Sequence, residues 1–254
     1  MTTPNPERSP ALRARAAPAL AVVLLCLFAL PAGSQDDKPK NLKILPKSTT
    51  DVQLHTIMRG YASALGVSCN YCHVQNADRS MKFDADDKRP KRIAREMMKM
   101  TADINMRVLA NLKDRPAPAV NVECTTCHRG LTRPRMLGDV IVDSLSTGGL
   151  DSARTAYARL KARYYGRSSY DFGEPSLIST ALKLSAAGKY RAALDVLKLD
   201  EEQYPGSANI AVNVGDVHIA MGDTAAALSD YKTAAGRDST NMAAKFRLKQ
   251  YGPK

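Results

Sequence analysis

Two short segments constrain this chain more than anything else in it: SCNYCH at 68–73 and ECTTCH at 123–128. Each sets two cysteines three positions apart and a histidine directly after the second: Cys69, Cys72 and His73, then Cys124, Cys127 and His128. With 5 cysteines and 4 histidines in 254 residues, chance would produce the pattern on the order of 0.002 times. Finding it twice marks chemistry. Thiols at i and i+3 fall on one side of a helical turn, where both can add to the vinyl groups of one porphyrin. The following imidazole then meets the iron, so each copy reads as a haem c attachment site and two haem c groups are expected. A four-thiolate zinc site would use the same cysteines, but it leaves the two histidines unexplained and spans a long spacer. A dithiol redox pair needs a βαβ context that neither motif has.

The N-terminus supports the same chemistry. Arg8, Arg13 and Arg15 stand against Glu7, then ALAVVLLCLFAL runs from Ala19 to Leu30 without a charge, and PAGSQ follows with Ala32 and Ser34. This is the build of a signal peptide over 1–34. The apolar run is short of the roughly 20 residues of a membrane span, so an uncleaved N-terminal anchor is the alternative. Lipidation at Cys26 would need a small residue before it, and Leu25 stands there. Export implies a periplasmic location, where haem attachment machinery acts on an unfolded chain. Loss of the leader removes Cys26 and leaves four cysteines, all within the motifs, which is no disulfide scaffold. The formal charge of +12 contains no run of like charge suited to nucleic acid. A diffuse positive surface suits acidic redox partners or a membrane-bound electron-transfer complex.

Each histidine occupies one axial position, His73 on the first iron and His128 on the second. The sixth ligands must come from elsewhere. TDVQLHTIMRGYASALG, 50–66, predicts a helix capped by Thr50 or Asp51 and ended by Gly66, with Leu54, Met58, Tyr61 and Leu65 on one face. Met58 lies about 10 Å of helix before its end, a reach that suits a ligand to the first haem. His55, off that face, is its rival. A second helix is predicted in DKRPKRIAREMMKMTADINMRVLANLKDRP, with Pro90 in its first turn and Pro116 beyond its end. Ile93, Met97, Met100, Ile104 and Val108 share its predicted inward face, and periodicity does not choose between Met97 and Met100. Met98 and Met106 flank them, and Lys91, Arg92, Arg95 and Lys99 read as a solvated face.

Helix with methionine, turn, CxxCH, then helix with methionine and CxxCHRG resembles the cytochrome c subunit family of photosynthetic reaction centres. The resemblance runs from about Asn41 to Pro134 and is carried by MRGYASALGVSCNYCH, AREMMKMTADIN and VECTTCHRG. The family carries haems on repeated helix–turn–CxxCH segments, mostly with a methionine of the preceding helix as sixth ligand. The resemblance thus implies Met58 for the first haem. For the second, the Ala-Arg-x-Met pattern at Ala94-Arg95-Glu96-Met97 favours Met97, with Met100 as the alternative. Reaction-centre members carry four haems in two pairs; this chain has one pair. The resemblance implies a periplasmic electron carrier.

Beyond Pro134 the composition turns alanine-rich. Aligning AAGKYRAALDVLKLDEEQYP with AMGDTAAALSDYKTAAGRDS sets Gly188 over Gly222, 34 residues on, and Ala192, Ala193 and Leu194 over Ala226, Ala227 and Leu228. That period resembles tetratricopeptide repeats, helix pairs whose stacking builds a protein-binding surface. GGLDSARTAYARLKARY reads as an earlier, divergent unit, and His218 as a residue packed between repeat helices. The chain is therefore expected to be all-α: a signal peptide at 1–34, a dihaem cytochrome domain at 35–147 and a tetratricopeptide-like helical domain at 148–254. The function expected is one-electron transfer between redox partner proteins, with the repeats as docking module. A dihaem peroxidase is the enzyme alternative. It would need an open iron and a distal base, and no residue of the sequence marks one.

Overall fold

The computed structural model describes residues 39–115 and 117–253. The expected leader at 1–34 and Pro116 lie outside the described residues. Within them the fold is all-α, as expected, apart from a two-stranded antiparallel hairpin, Val74–Gln75 with Met81–Lys82.

Helix α1, Asp51–Leu65, starts and stops where the sequence places it. Thr50 Oγ1 accepts from the Gln53 amide, and Gln53 Oε1 accepts from the Thr50 amide at 3.0 Å, satisfying two donors that a helix start leaves free. Gly66 ends the helix in the left-handed region at φ 66°, where a side chain would be strained. Helix α2, Arg89–Asp103, carries Pro90 in its first turn and is α-helical only to Asp103. The predicted continuation instead widens into a π-helical turn at Ile104–Val108 and tightens into a 3₁₀ turn at Leu109–Asn111. A side chain explains the change. Asn105 Nδ2 donates to the Val122 carbonyl at 2.8 Å and its Oδ1 accepts from the Val122 amide at 2.7 Å. The turn is thereby pulled onto the strand leading into Cys124. Helix α3 is the single turn Cys124–His128.

The faces of α2 reverse the expectation. Lys91 is 8% exposed and the Arg95 side chain 14%, whereas Ile93, Met100 and Val108 are exposed. Lys91 and Arg95 therefore do not belong to a solvated face. They turn inward because acceptors wait there: Lys91 Nζ donates to the carbonyls of Phe83 at 2.8 Å and Ala85 at 2.7 Å. Arg92 and Lys99 remain exposed, as expected.

Helix α4, Leu137–Tyr164, leaves helical geometry at Gly148 and Gly149, the second at φ 66°. Leu137 and Ile141, before this kink, are buried in one core with Leu177, Val196, Leu197 and Ile210. Then follow α5 (Glu174–Ala186), α6 (Tyr190–Gln203), α7 (Ala208–Ala220), α8 (Thr224–Arg237) and α9 (Met242–Tyr251). Helix α7 begins 34 residues after α5, and α8 34 after α6. Gly188 and Gly222, both at positive φ, turn the chain between the members of each pair. Ala193 and Ala227 are fully buried at equivalent places, where a larger side chain would hold the helices apart. His218 of α7 bonds to Asp230 of α8, Nδ1 to Oδ2, at 2.6 Å, so it does pack between the repeat helices, here the two members of one pair.

Candidate functional site

Local backbone bonds fold each CxxCH motif into one turn. In the first, Cys69–Tyr71 form a 3₁₀ turn, and the His73 amide donates to the Cys69 carbonyl at 3.0 Å. In the second, the Glu123 amide donates to Thr126 Oγ1 at 3.0 Å, and the Thr126 amide to the Glu123 carbonyl. All four cysteines are free thiols, with Cys69 and Cys127 exposed. Burial pushes the Cys72 and Cys124 thiols up in pKa; Lys88 and Lys91 oppose this at Cys72, while the Glu123 carboxylate adds to it at Cys124. Among the described residues no three histidine, cysteine or acidic side chains converge where an ion could sit. The two CxxC pairs are therefore not assembled into the four-thiolate cage that zinc requires.

The histidines are held differently. His128 Nδ1–H donates to the Leu131 carbonyl at 2.7 Å, which fixes the tautomer and leaves Nε2 for a metal. The turn behind it is locked by two further contacts. The Gly130 amide donates to the Ala64 carbonyl at 2.8 Å, and the buried Ser169 donates through Oγ to the Arg129 carbonyl at 2.6 Å. Helix α1 thus packs on α3, so closely that a Cβ at Gly66 would stand 2.2 Å from the Gly130 oxygen.

His73 has a buried Nδ1 with no hydrogen bond of normal geometry. Its ring stands edge-on to Phe83 at 5.2 Å. Burial first, then the charge of Lys91, holds the His73 pKa below that of an ordinary histidine; the Phe83 carbonyl opposes this, and Arg95 and Lys88 add to it. The shift favours the neutral ring, the form that ligates iron. That carbonyl already accepts from Lys91 Nζ at 2.8 Å. Around this corner Asp86 binds Asn41 Nδ2 at 2.9 Å, Lys43 Nζ at 2.6 Å, Lys91 Nζ at 3.0 Å and Arg95 Nη1 at 2.8 Å. Arg95 foremost, with Lys43, Lys91 and Asn41, holds the Asp86 carboxyl far below the usual carboxylate range.

The expected methionines lie on the helices preceding the motifs. Met58 is half-buried on the face of α1 that also carries Leu54, Tyr61 and Leu65. On α2, Met97 and Met98 are half-buried, Met100 is 45% exposed, and Met106 of the π-helical turn is exposed. His55 is exposed and lies 3.5 Å from Asp51 of its own helix.

The residues fit a large apolar cofactor on each motif. Among the described residues between 39 and 136 the only buried apolar ones are Leu42, Ala64 and Leu131, far too few for a core of that length. Over the same stretch Tyr71, Phe83, Ile93, Met100, Met106, Val108 and Leu112 face outward. An apolar face of this extent, beside free thiols and a histidine with its Nε2 available, is what a porphyrin would cover.

Several residues that shape the site escape a reading of motifs. Lys91 and Asp86 could have been suspected from a carboxylate just ahead of a basic helix start. Asn105, Ser169 and the Leu131 carbonyl act through contacts that leave no local mark in the sequence.

Comparison with known proteins agrees with the resemblance read from the motifs. Residues 32–154, just under half of the chain, match the family model of the photosynthetic reaction centre cytochrome C subunit. Cytochrome c-554 of Chloroflexus aurantiacus is 36% identical over 80 residues, which are 31% of this chain and 18% of that protein. The matched part is similar to c-type cytochromes, and haem c is the cofactor that family implies. The chain spans less than a fifth of that relative's own length.

Proposed function

We propose that this protein is an exported dihaem c-type cytochrome that carries single electrons between redox partner proteins, with its C-terminal helix pairs as the docking module. One observation carries the reading: the CxxCH motif occurs twice, and each copy folds into one turn in a region with almost no protein core of its own. Each haem, when bound, supplies an iron that changes charge by one electron. The chain's residues do the rest. Cys69 and Cys72 hold one haem by thioether bonds, Cys124 and Cys127 the other, so neither cofactor is lost from a thinly packed domain. His73 and His128 are the proximal ligands. Met58 and Met97 close the sixth positions, which denies substrates an open iron, and thioether sulfur favours the ferrous state. That is the chemistry of a carrier and not of an oxygenase or peroxidase.

Export over 1–34 would deliver the chain unfolded to the haem attachment machinery of the periplasm. No described helix is long and apolar enough to cross a membrane. The helices of 148–254, with their 34-residue period and tetratricopeptide-like register, would present the surface that meets a redox partner or a membrane-bound complex.

A pyridine haemochrome assay combined with intact mass tests the reading. Two covalent haem additions per chain are expected, on a mass that lacks residues 1–34. One addition, or bound zinc in place of haem, would overturn it.

A further inference from the structure

The two proximal histidines sit in different electrostatic settings. Beside His73, three cations (Lys43, Lys91 and Arg95) share the single carboxylate of Asp86, leaving a net positive cluster. Lys91 is the inner member, buried, with all three of its donors satisfied by Phe83, Ala85 and Asp86. Lys88 adds a further charge at the same turn, its ammonium donating to the Asn70 carbonyl between the two cysteines. The Phe83 carbonyl beside the His73 ring accepts from the Lys91 ammonium, and His73 Nδ1 makes no hydrogen bond of normal geometry.

At the second motif the ring is hydrogen-bonded and the charges are balanced. His128 Nδ1–H has a carbonyl to itself at 2.7 Å, which raises the basicity of the ligating nitrogen. The charged neighbours at that turn are one of each sign, the carboxylate of Glu123 directly before Cys124 and the guanidinium of Arg129 directly after His128, with no surplus of positive charge like that beside His73.

Both differences act in one direction. Reduction removes one positive charge from a haem. A buried cation beside it favours the reduced state, and a carboxylate or a more basic imidazole favours the oxidised state. We infer that the protein sets the two haems at different potentials, with the His73 site the higher, so that electrons entering at the His128 site pass to the His73 site. In that step one electron leaves the iron at His128, which becomes ferric, and reduces the iron at His73 to ferrous. No bond forms or breaks and no proton moves. This rests on the dihaem reading above, and it assigns Lys91 as a residue that tunes potential through charge and does not itself touch iron.

Optical redox titration of the full holoprotein tests it, after haemochrome assay has established two haems. Wild-type protein should show two separate one-electron waves. Lys91→Met removes the charge and keeps the stem. It should lower the upper wave, changing the partition of an electron between the two haems on the order of tenfold, about 59 mV for one electron. Lys91→Arg should restore the wave, which a purely structural role would not require. Glu123→Gln should raise the lower wave, so the two variants narrow the gap from opposite ends. Lys88→Gln gives a smaller shift of the upper wave and serves if Lys91→Met does not fold. Coincident wild-type waves, movement of the lower wave by Lys91→Met, or no movement by either lysine variant would overturn the assignment. A haem count of one would instead refute the dihaem reading.

Discussion

At the scale of single residues, the motifs were legible because covalent attachment demands fixed spacing, and fixed spacing survives in the sequence whatever the fold around it. The methionines are different. A ligand and a core residue share one helical periodicity, so only the Ala-Arg-x-Met resemblance separates Met97 from Met100. Met97 is half-buried, while Met100 is 45% exposed. We expect Met97→Ala to open the second iron, so that the reduced protein binds carbon monoxide and the potential of that haem falls. Met100→Ala should leave the visible spectrum unchanged and cost less than about 1 kcal/mol, since little buried area is lost at a partly exposed site. An iron opened by Met100→Ala and not by Met97→Ala would move the ligand one turn along α2. The same helix shows why a periodicity misleads here. Its apolar stripe was read as facing a protein core, yet Ile93 and Val108 face outward while Lys91 and Arg95 face in. Acceptors from Phe83, Ala85 and Asp86 decide which face of α2 turns inward, and a hydropathy pattern does not record them.

At the scale of elements, α1 was readable to the residue because both its ends are written locally, in Thr50 with Gln53 and in Gly66. The end of α2 was not. No glycine or proline stands at 104–108, and the π-helical turn there goes with a bond pair to Val122, 17 positions away in sequence. Nor does the sequence reveal that α1 seats on α3. Gly66 serves both roles at once: it ends α1 at φ 66° and lets the Gly130 backbone approach within reach of where its Cβ would be. Gly66→Ala should therefore destabilise the protein by about 2–4 kcal/mol, from left-handed strain plus a clash with backbone that cannot rotate away. Because Gly130 lies two residues beyond His128, thermal unfolding followed in the Soret band of the second haem should report the loss. A Tm within about a degree of wild type would mean that this close approach does not hold the two helices together.

At the scale of the whole molecule, the two halves are stabilised by different means. Among the described residues the part bearing the motifs has three buried apolar side chains, whereas α4–α9 carry two extended hydrophobic clusters. The helical pairing of the latter was visible in its 34-residue register, because alanine and glycine recur where backbones come close. One residue in that dense half was not foreseen as special. Asp200 of α6 is 1% exposed, and neither carboxylate oxygen has a hydrogen-bond partner; the Tyr157 hydroxyl is likewise buried and unpaired. Burial, reinforced by the charges of Glu174 and Glu201, pushes the Asp200 pKa up to about 7. The folded state thus binds this proton more tightly than the unfolded chain, whose carboxyl titrates near 4. Its stabilising effect is complete below that value and is lost as pH rises through 7, a change on the order of 4 kcal/mol. Asp200→Asn removes the titration while keeping the shape. The variant should therefore be more stable than wild type at pH 8, and the advantage should shrink as pH falls toward 4. Denaturant unfolding at several pH values, read as the difference between the two proteins, cancels contributions from groups they share. Parallel profiles from pH 4 to pH 8 would show that Asp200 is solvated or paired in solution, and that the core around α6 is more open than its packing indicates.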